Sequence, residues 1–205
     1  MASTIQVDTI KDIGGNTIIS SNGSGTFTSN LPASAPNVST ATGTLPIANG
    51  GTGAATFAAA GLDNTPSFSV TNGSNTNVVA STWVKLAFNT EYYDTNSAFA
   101  SDKFTVPASN AGKYYFGYTT RIQNIDDQEY AAIKLYKNGS ALDTERAMGM
   151  NYSSKAVQGI NVSCFYIDEA AVSDYYEVYA YHTSGSAQYA EPGATVFFGY
   201  KLLGV

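Results

Sequence analysis

Gly112-Lys-Tyr-Tyr-Phe-Gly-Tyr-Thr-Thr-Arg-Ile122 is the stretch that decides the fold of this chain. Aromatic and β-branched residues fill it, which is the composition of a strand. A second such run, Phe198-Gly-Tyr-Lys-Leu-Leu203, almost closes the sequence. Further candidate strands are Ser67–Val70, Thr82–Phe88, Tyr130–Lys137, Ile160–Ile167 and Asp174–Tyr181, and the last run extends to Thr195–Leu203. In Asp174–Tyr181, Tyr176, Val178 and Ala180 make one apolar face and Glu177 marks the other. Lys137-Asn-Gly-Ser140 reads as a hairpin turn. Few segments suit a helix, and Phe57–Leu62 is at most one turn. Many short strands with regular turn signals predict an all-β protein, a sandwich or jelly roll.

Large apolar groups are unevenly distributed. All 15 tyrosines and the single tryptophan, Trp83, lie beyond residue 65, whereas residues 1–65 hold only Phe27 and Phe57 among aromatics. So poor a segment cannot bury enough surface to offset its chain entropy. The core is expected in a head over 66–205, after an N-terminal segment over 1–30 and a Gly/Ser/Thr/Pro-rich neck over 31–65. The short β-type pieces within 3–28, split by Gly14-Gly15, read as a small hairpin or extended strands, whose edges must pair with another copy of the chain or a larger assembly.

The order Phe88, Asp94, Phe99, Phe104, Gly112, Tyr114, Phe116, Tyr118, with Phe198–Leu203 behind it, resembles the signature of the complement component 1q globular-head family. That family shares a jelly-roll fold with the tumour necrosis factors, and the resemblance covers roughly 66–205. It implies a trimeric β-sandwich head used for recognition, with alternate residues Tyr114, Phe116, Tyr118, Phe198, Tyr200 and Leu202 at the trimer interface. Some heads of this fold bind calcium, for which Asp126, Asp127 and Glu129 are the candidate ligands here; a solvated loop is the other reading. No other cofactor is expected. Two departures stand out: Phe104 comes early, although Phe99 to Gly112 keeps its separation, and Ser173-Asp174 replaces the usual Gly-Asp.

Composition excludes several function classes. A net charge of −6 with no cluster of Lys and Arg argues against nucleic acid. It also argues against ligands held by general attraction to an anionic surface. The one cysteine, Cys164, rules out an internal disulfide and reads as a buried structural thiol. No secretory signal and no bilayer-spanning stretch is recognised, so assembly in a host cytoplasm is expected. His182 is the single histidine and no nucleophile elbow accompanies it, which leaves no catalytic triad to build. Gly50-Gly-Thr-Gly53 lacks the Lys and hydroxyl residue of a phosphate loop.

That glycine element instead resembles the junctions of bacteriophage tail fibres, and Ser3–Asp12 resembles the N-termini of structural proteins from marine and cyanobacterial phages. The sequence therefore reads as a homotrimeric virion fibre protein, not an enzyme. The N-terminal segment would bind other virion proteins, and loops Tyr92–Ser101, Gln123–Glu129 and Ser184–Pro192 would meet a host-surface glycan or protein. The alternative is a capsid fibre or decoration protein without a receptor role.

Overall fold

A computed structural model describes residues 8–21, 27–29, 53–54, 60, 64–142 and 146–203. The Gly50-Gly51-Thr52 element and most of the 31–65 neck lie outside the described residues. The chain divides into two compact units, Met1–Ala55 and Thr56–Val205. In the first, β1 (Thr9–Lys11), β2 (Thr17–Ser21) and β3 (Phe27–Ser29) form a small antiparallel sheet in that order. Its first turn is closed by Asp12, whose carboxylate accepts hydrogen bonds from the Asn16 backbone and side chain.

The second unit is a two-sheet sandwich. The front sheet centres on the long strand β10 (Gly112–Ile125), flanked on one side by β14 (Val157–Ala170). On the other side run β17 (Val196–Lys201), β4 (Ser67–Thr71) and β7 (Thr90–Asp94) in turn. Beyond the end of β17, β16 (Gln188–Ala190) and β5 (Thr76–Val78) extend the sheet. The back sheet centres on β11 (Tyr130–Lys137) and β15 (Tyr175–His182). The strands β12 (Ser140–Ala141) and β13 (Met148–Tyr152) follow each other along the free side of β11. The strands β6 (Val84–Lys85) and β9 (Lys103–Thr105) line the free side of β15, and β8 (Phe99–Ala100) lies beyond β9.

Aromatic rings fill the space between the sheets. Phe68 stacks on Phe104 at 4.7 Å, and Phe116 meets Tyr176 at 4.3 Å across the sandwich. Ile133, Leu135 and Val178 supply the aliphatic part, all fully enclosed. Burial this complete explains why the head can hold its own core.

Two turns show how local chemistry fixes the frame. Asn138 (φ 53°) and Gly139 (φ 78°) both occupy the left-handed region, as the tight I′ hairpin requires. Asn138 also ties the turn to β15: its amide oxygen accepts from Tyr175 N and its Nδ2 donates to Asp174. Ser173 adopts φ 71°, the conformation glycine would supply at no steric cost. Asp174 holds that turn closed by accepting the Ala171 N–H at 2.8 Å, so Ser173-Asp174 makes a closed turn without glycine.

Beside this turn sits the head's densest charge cluster. Lys137 Nζ lies 2.8 Å from Asp168 and 3.0 Å from Asp174. Tyr176 donates its hydroxyl to the same Asp168 oxygen at 2.6 Å. Burial alone would lower the Lys137 pKa, but the two carboxylates outweigh it and raise it. Burial likewise works against the Asp174 carboxylate, yet bonds from Asn138, Ala171 and Lys137 bring its pKa below the ordinary value.

Candidate assembly face

Strand β10 alternates strictly enough to assign each residue a side. Tyr114, Phe116 and Tyr118 point inward and are at most 2% exposed. Tyr114 donates to Asn110 O and Tyr118 to Ala147 O, and burial pushes both phenols' pKa values up. These three are therefore not interface residues: they belong to the protomer's own core, and the interface expectation for them is corrected. The outward residues are their neighbours Tyr115, Gly117 and Thr119.

Two Phe-Gly dipeptides organise this face. β10 and β17 pair so that Phe116 stands opposite Gly199 and Gly117 opposite Phe198. On the core side Phe116 lies over Gly199. On the outer side the Phe198 ring lies where a β-carbon on Gly117 would be. Each glycine thus makes room for the ring of the other dipeptide.

Around Phe198 gather Tyr115, Tyr200, Phe165 and Ile167. Tyr115 stacks on Tyr200 at 5.4 Å and on Phe165 at 6.1 Å. Phe165 is 68% exposed and Ile167 52%. Of the residues expected at the interface, Phe198 and Tyr200 lie on this face; Leu202, half-buried, donates its N–H to Lys113 O just beyond β17. A cavity of about 570 Å³ opens between this face and β13, lined by Phe198, Phe165, Tyr115 and Met148 among others. Cys164, beside it, is half-buried rather than enclosed. Phe165 and Ile167 escaped the sequence reading, although apolar residues at both parities of Ile160–Ile167 carried the signal.

Among the described residues no group of three or more His, Cys, Asp or Glu side chains is arranged to hold a metal ion. Asp126 and Asp127 sit exposed in the turn between β10 and β11, where Glu129 N–H donates to Asp126 O. The calcium candidates are therefore not gathered into a site. His182 is fully enclosed, with Nε2 2.8 Å from Val78 O and no partner on Nδ1. Loops Gln123–Glu129 and Ser184–Pro192 share one end of the sandwich, linked by Asp126 N–H to Ser184 Oγ. Loop Tyr92–Ser101 lies at the opposite end, where Thr95 bonds Ser67 as the chain enters. The three loops do not form one surface.

No protein-family model and no curated protein sequence matches the chain. Among solved structures, the globular domain of zebrafish complement 1qA is similar, with 19% identity and a TM-score of 0.50, over 67% of this chain and 98% of that one. Murine APRIL matches at 11% identity and a TM-score of 0.47, over 66% and 98% of the two chains. The second unit of this chain has the jelly-roll fold of the complement 1q globular domain.

Proposed function

We propose that the protein is a homotrimeric bacteriophage fibre protein whose jelly-roll head recognises the host surface. The observation that carries the assembly is the open aromatic face of Tyr115, Phe165, Ile167, Phe198 and Tyr200. Such a contiguous apolar patch marks an interaction surface, and copies of one chain related by rotation cover it most simply. The fibre reading draws on Gly50-Gly-Thr-Gly53 and on β-type N-terminal pieces that suit docking to other virion proteins. Recognition then gains from avidity, because three heads per fibre turn weak contacts into firm adhesion.

Sedimentation velocity of the full chain and of Phe165→Asp tests the assembly. A wild-type trimer that Phe165→Asp converts to folded monomer is expected; a wild-type monomer at micromolar concentration overturns it. Purified protein in excess should block phage adsorption, and unchanged adsorption would favour the decoration role.

A further inference from the structure

The back sheet turns a second aromatic surface outward, on the opposite side of the sandwich from the assembly face. Tyr152 on β13 stands directly across from Tyr130 on β11. Tyr130 stacks on Tyr181 of β15 with centroids 5.7 Å apart, and Trp83, just before β6, lies 5.2 Å from Tyr181. Tyr152, Tyr130, Tyr181 and Trp83 thus form a row across four adjacent strands, roughly 14 Å at ordinary strand spacing. Ala132, paired with Tyr181 and fully buried, keeps the floor low between them. All but Tyr152 are half-buried, so the rings are held in place and lose little freedom when a ligand arrives.

Lys134 makes this row more than a packing feature. Its side chain emerges among the rings, is only 8% exposed, and places Nζ 4.6 Å from the Trp83 centroid. Among the described residues no carboxylate lies within ion-pair distance of it, and no protein acceptor takes its hydrogen bonds. The nitrogen is not sealed from solvent. A charge so deeply seated ordinarily has a partner. Among the described residues the strands of this face carry Lys85, Lys103 and Lys134 against Glu177, with Glu129 beside Tyr130 at the edge, and Glu177 is taken by Lys85 at 2.7 Å. Lys103 and Lys134 are thus left with no carboxylate within ion-pair distance among the described residues, on a chain of net charge −6.

Rings with apolar faces and polar rims suit sugars, whose C–H faces stack while their edges hydrogen-bond. The unpaired ammonium adds a place for a carboxylate. We infer that this face binds an acidic polysaccharide, its uronate rings lying along Tyr152, Tyr130, Tyr181 and Trp83 with one carboxylate accepting from Lys134. This rests on reading the head as a recognition module, and it puts the ligand on the back sheet rather than on the tip loops.

Affinity electrophoresis of the full chain in gels containing alginate, polygalacturonate or hyaluronan, with neutral dextran as control, tests it. Retardation by at least one of these uronate-bearing polymers and not by dextran is expected, together with a change in Trp83 emission on titration with its oligomers. Trp83→Ala and Tyr181→Ala should each weaken binding at least about tenfold. Tyr152→Ala, at an exposed edge position that leaves the core intact, should weaken it severalfold. Lys134→Met should abolish the preference for the acidic polymer, and added salt should weaken the wild type. No retardation by any of the three acidic polymers overturns the inference, as does retardation unchanged in Trp83→Ala and Tyr152→Ala. Adsorption blocked by a protein that ignores all three would sink this site while leaving host recognition standing.

Discussion

Substituting alanine at the two strand glycines should separate the core from the assembly face. At Gly199 a β-carbon would stand 2.7 Å from Phe116 Cδ1, 2.9 Å from Phe68 Cε1 and 3.0 Å from the Tyr115 carbonyl oxygen. Both rings are fully enclosed and the carbonyl belongs to a strand ladder, so none can give way freely. Overpacking of this kind costs about 1–3 kcal/mol, and this site belongs near the upper end. For a chain of this size that is a fall in Tm of roughly 6–12 °C. At Gly117 the obstacle is the outer end of the half-exposed Phe198 ring, which can swing into solvent. Gly117→Ala should therefore stay within about 1 kcal/mol of its parent, helped by the smaller entropy of its unfolded chain. Moving Phe198 should nonetheless weaken the proposed trimer. Urea unfolding in the Phe165→Asp background removes the contribution of assembly to stability, and sedimentation of the single variants reads the other half. If Gly199→Ala unfolds with its parent, or Gly117→Ala loses more stability than Gly199→Ala, the reciprocal Phe-Gly account is wrong.

Lys137→Met should cost about 1–3 kcal/mol by stranding Asp168 and Asp174, measured by urea unfolding at pH 7. Asp174, with its pKa lowered from 3.8, adds stability that is complete above that value and lost as pH falls below it. Lys137, with its pKa raised from 10.5, adds stability that is complete below that value and lost as pH rises past it. Asp174→Asn should therefore flatten the acid limb of a stability–pH curve, and an unchanged limb would refute its role. Tyr118→Phe should cost only about 1 kcal/mol, because Leu135 N–H still serves the Ala147 carbonyl; a loss above about 3 kcal/mol would contradict this. Gly139→Val should destabilise by more than about 1 kcal/mol, since φ 78° disfavours a β-branched residue, and thermal melts of the full chain check it.

The long strands were legible because their aromatic and β-branched content is dense, and the Asn138-Gly139 turn because its chemistry is local. Short strands such as β5, β8 and β16 were not, since two or three residues carry no period and owe their place to neighbours in the sheet. Side assignment along β10 failed for a specific reason. Tyr114, Phe116 and Tyr118 look alike from sequence whether they face a partner or their own core, and only pairing with β14 and β17 decides. Phe198 and Tyr200 came out on the open face because Gly199, beneath Phe116, turns its own parity inward. Loop clustering was equally hidden: Tyr92–Ser101 resembles the tip loops in composition, yet β7 runs the other way and carries it to the opposite end.

Trp83 and Cys164 give the molecule two natural reporters, one in the outward back-sheet row and one facing inward at the border of the cavity by the assembly face. The single indole sits in the back-sheet row, and the single thiol lies beside the front-sheet cavity. Emission near one and alkylation rate at the other can therefore follow ligand and assembly separately in unmodified protein, without any introduced label.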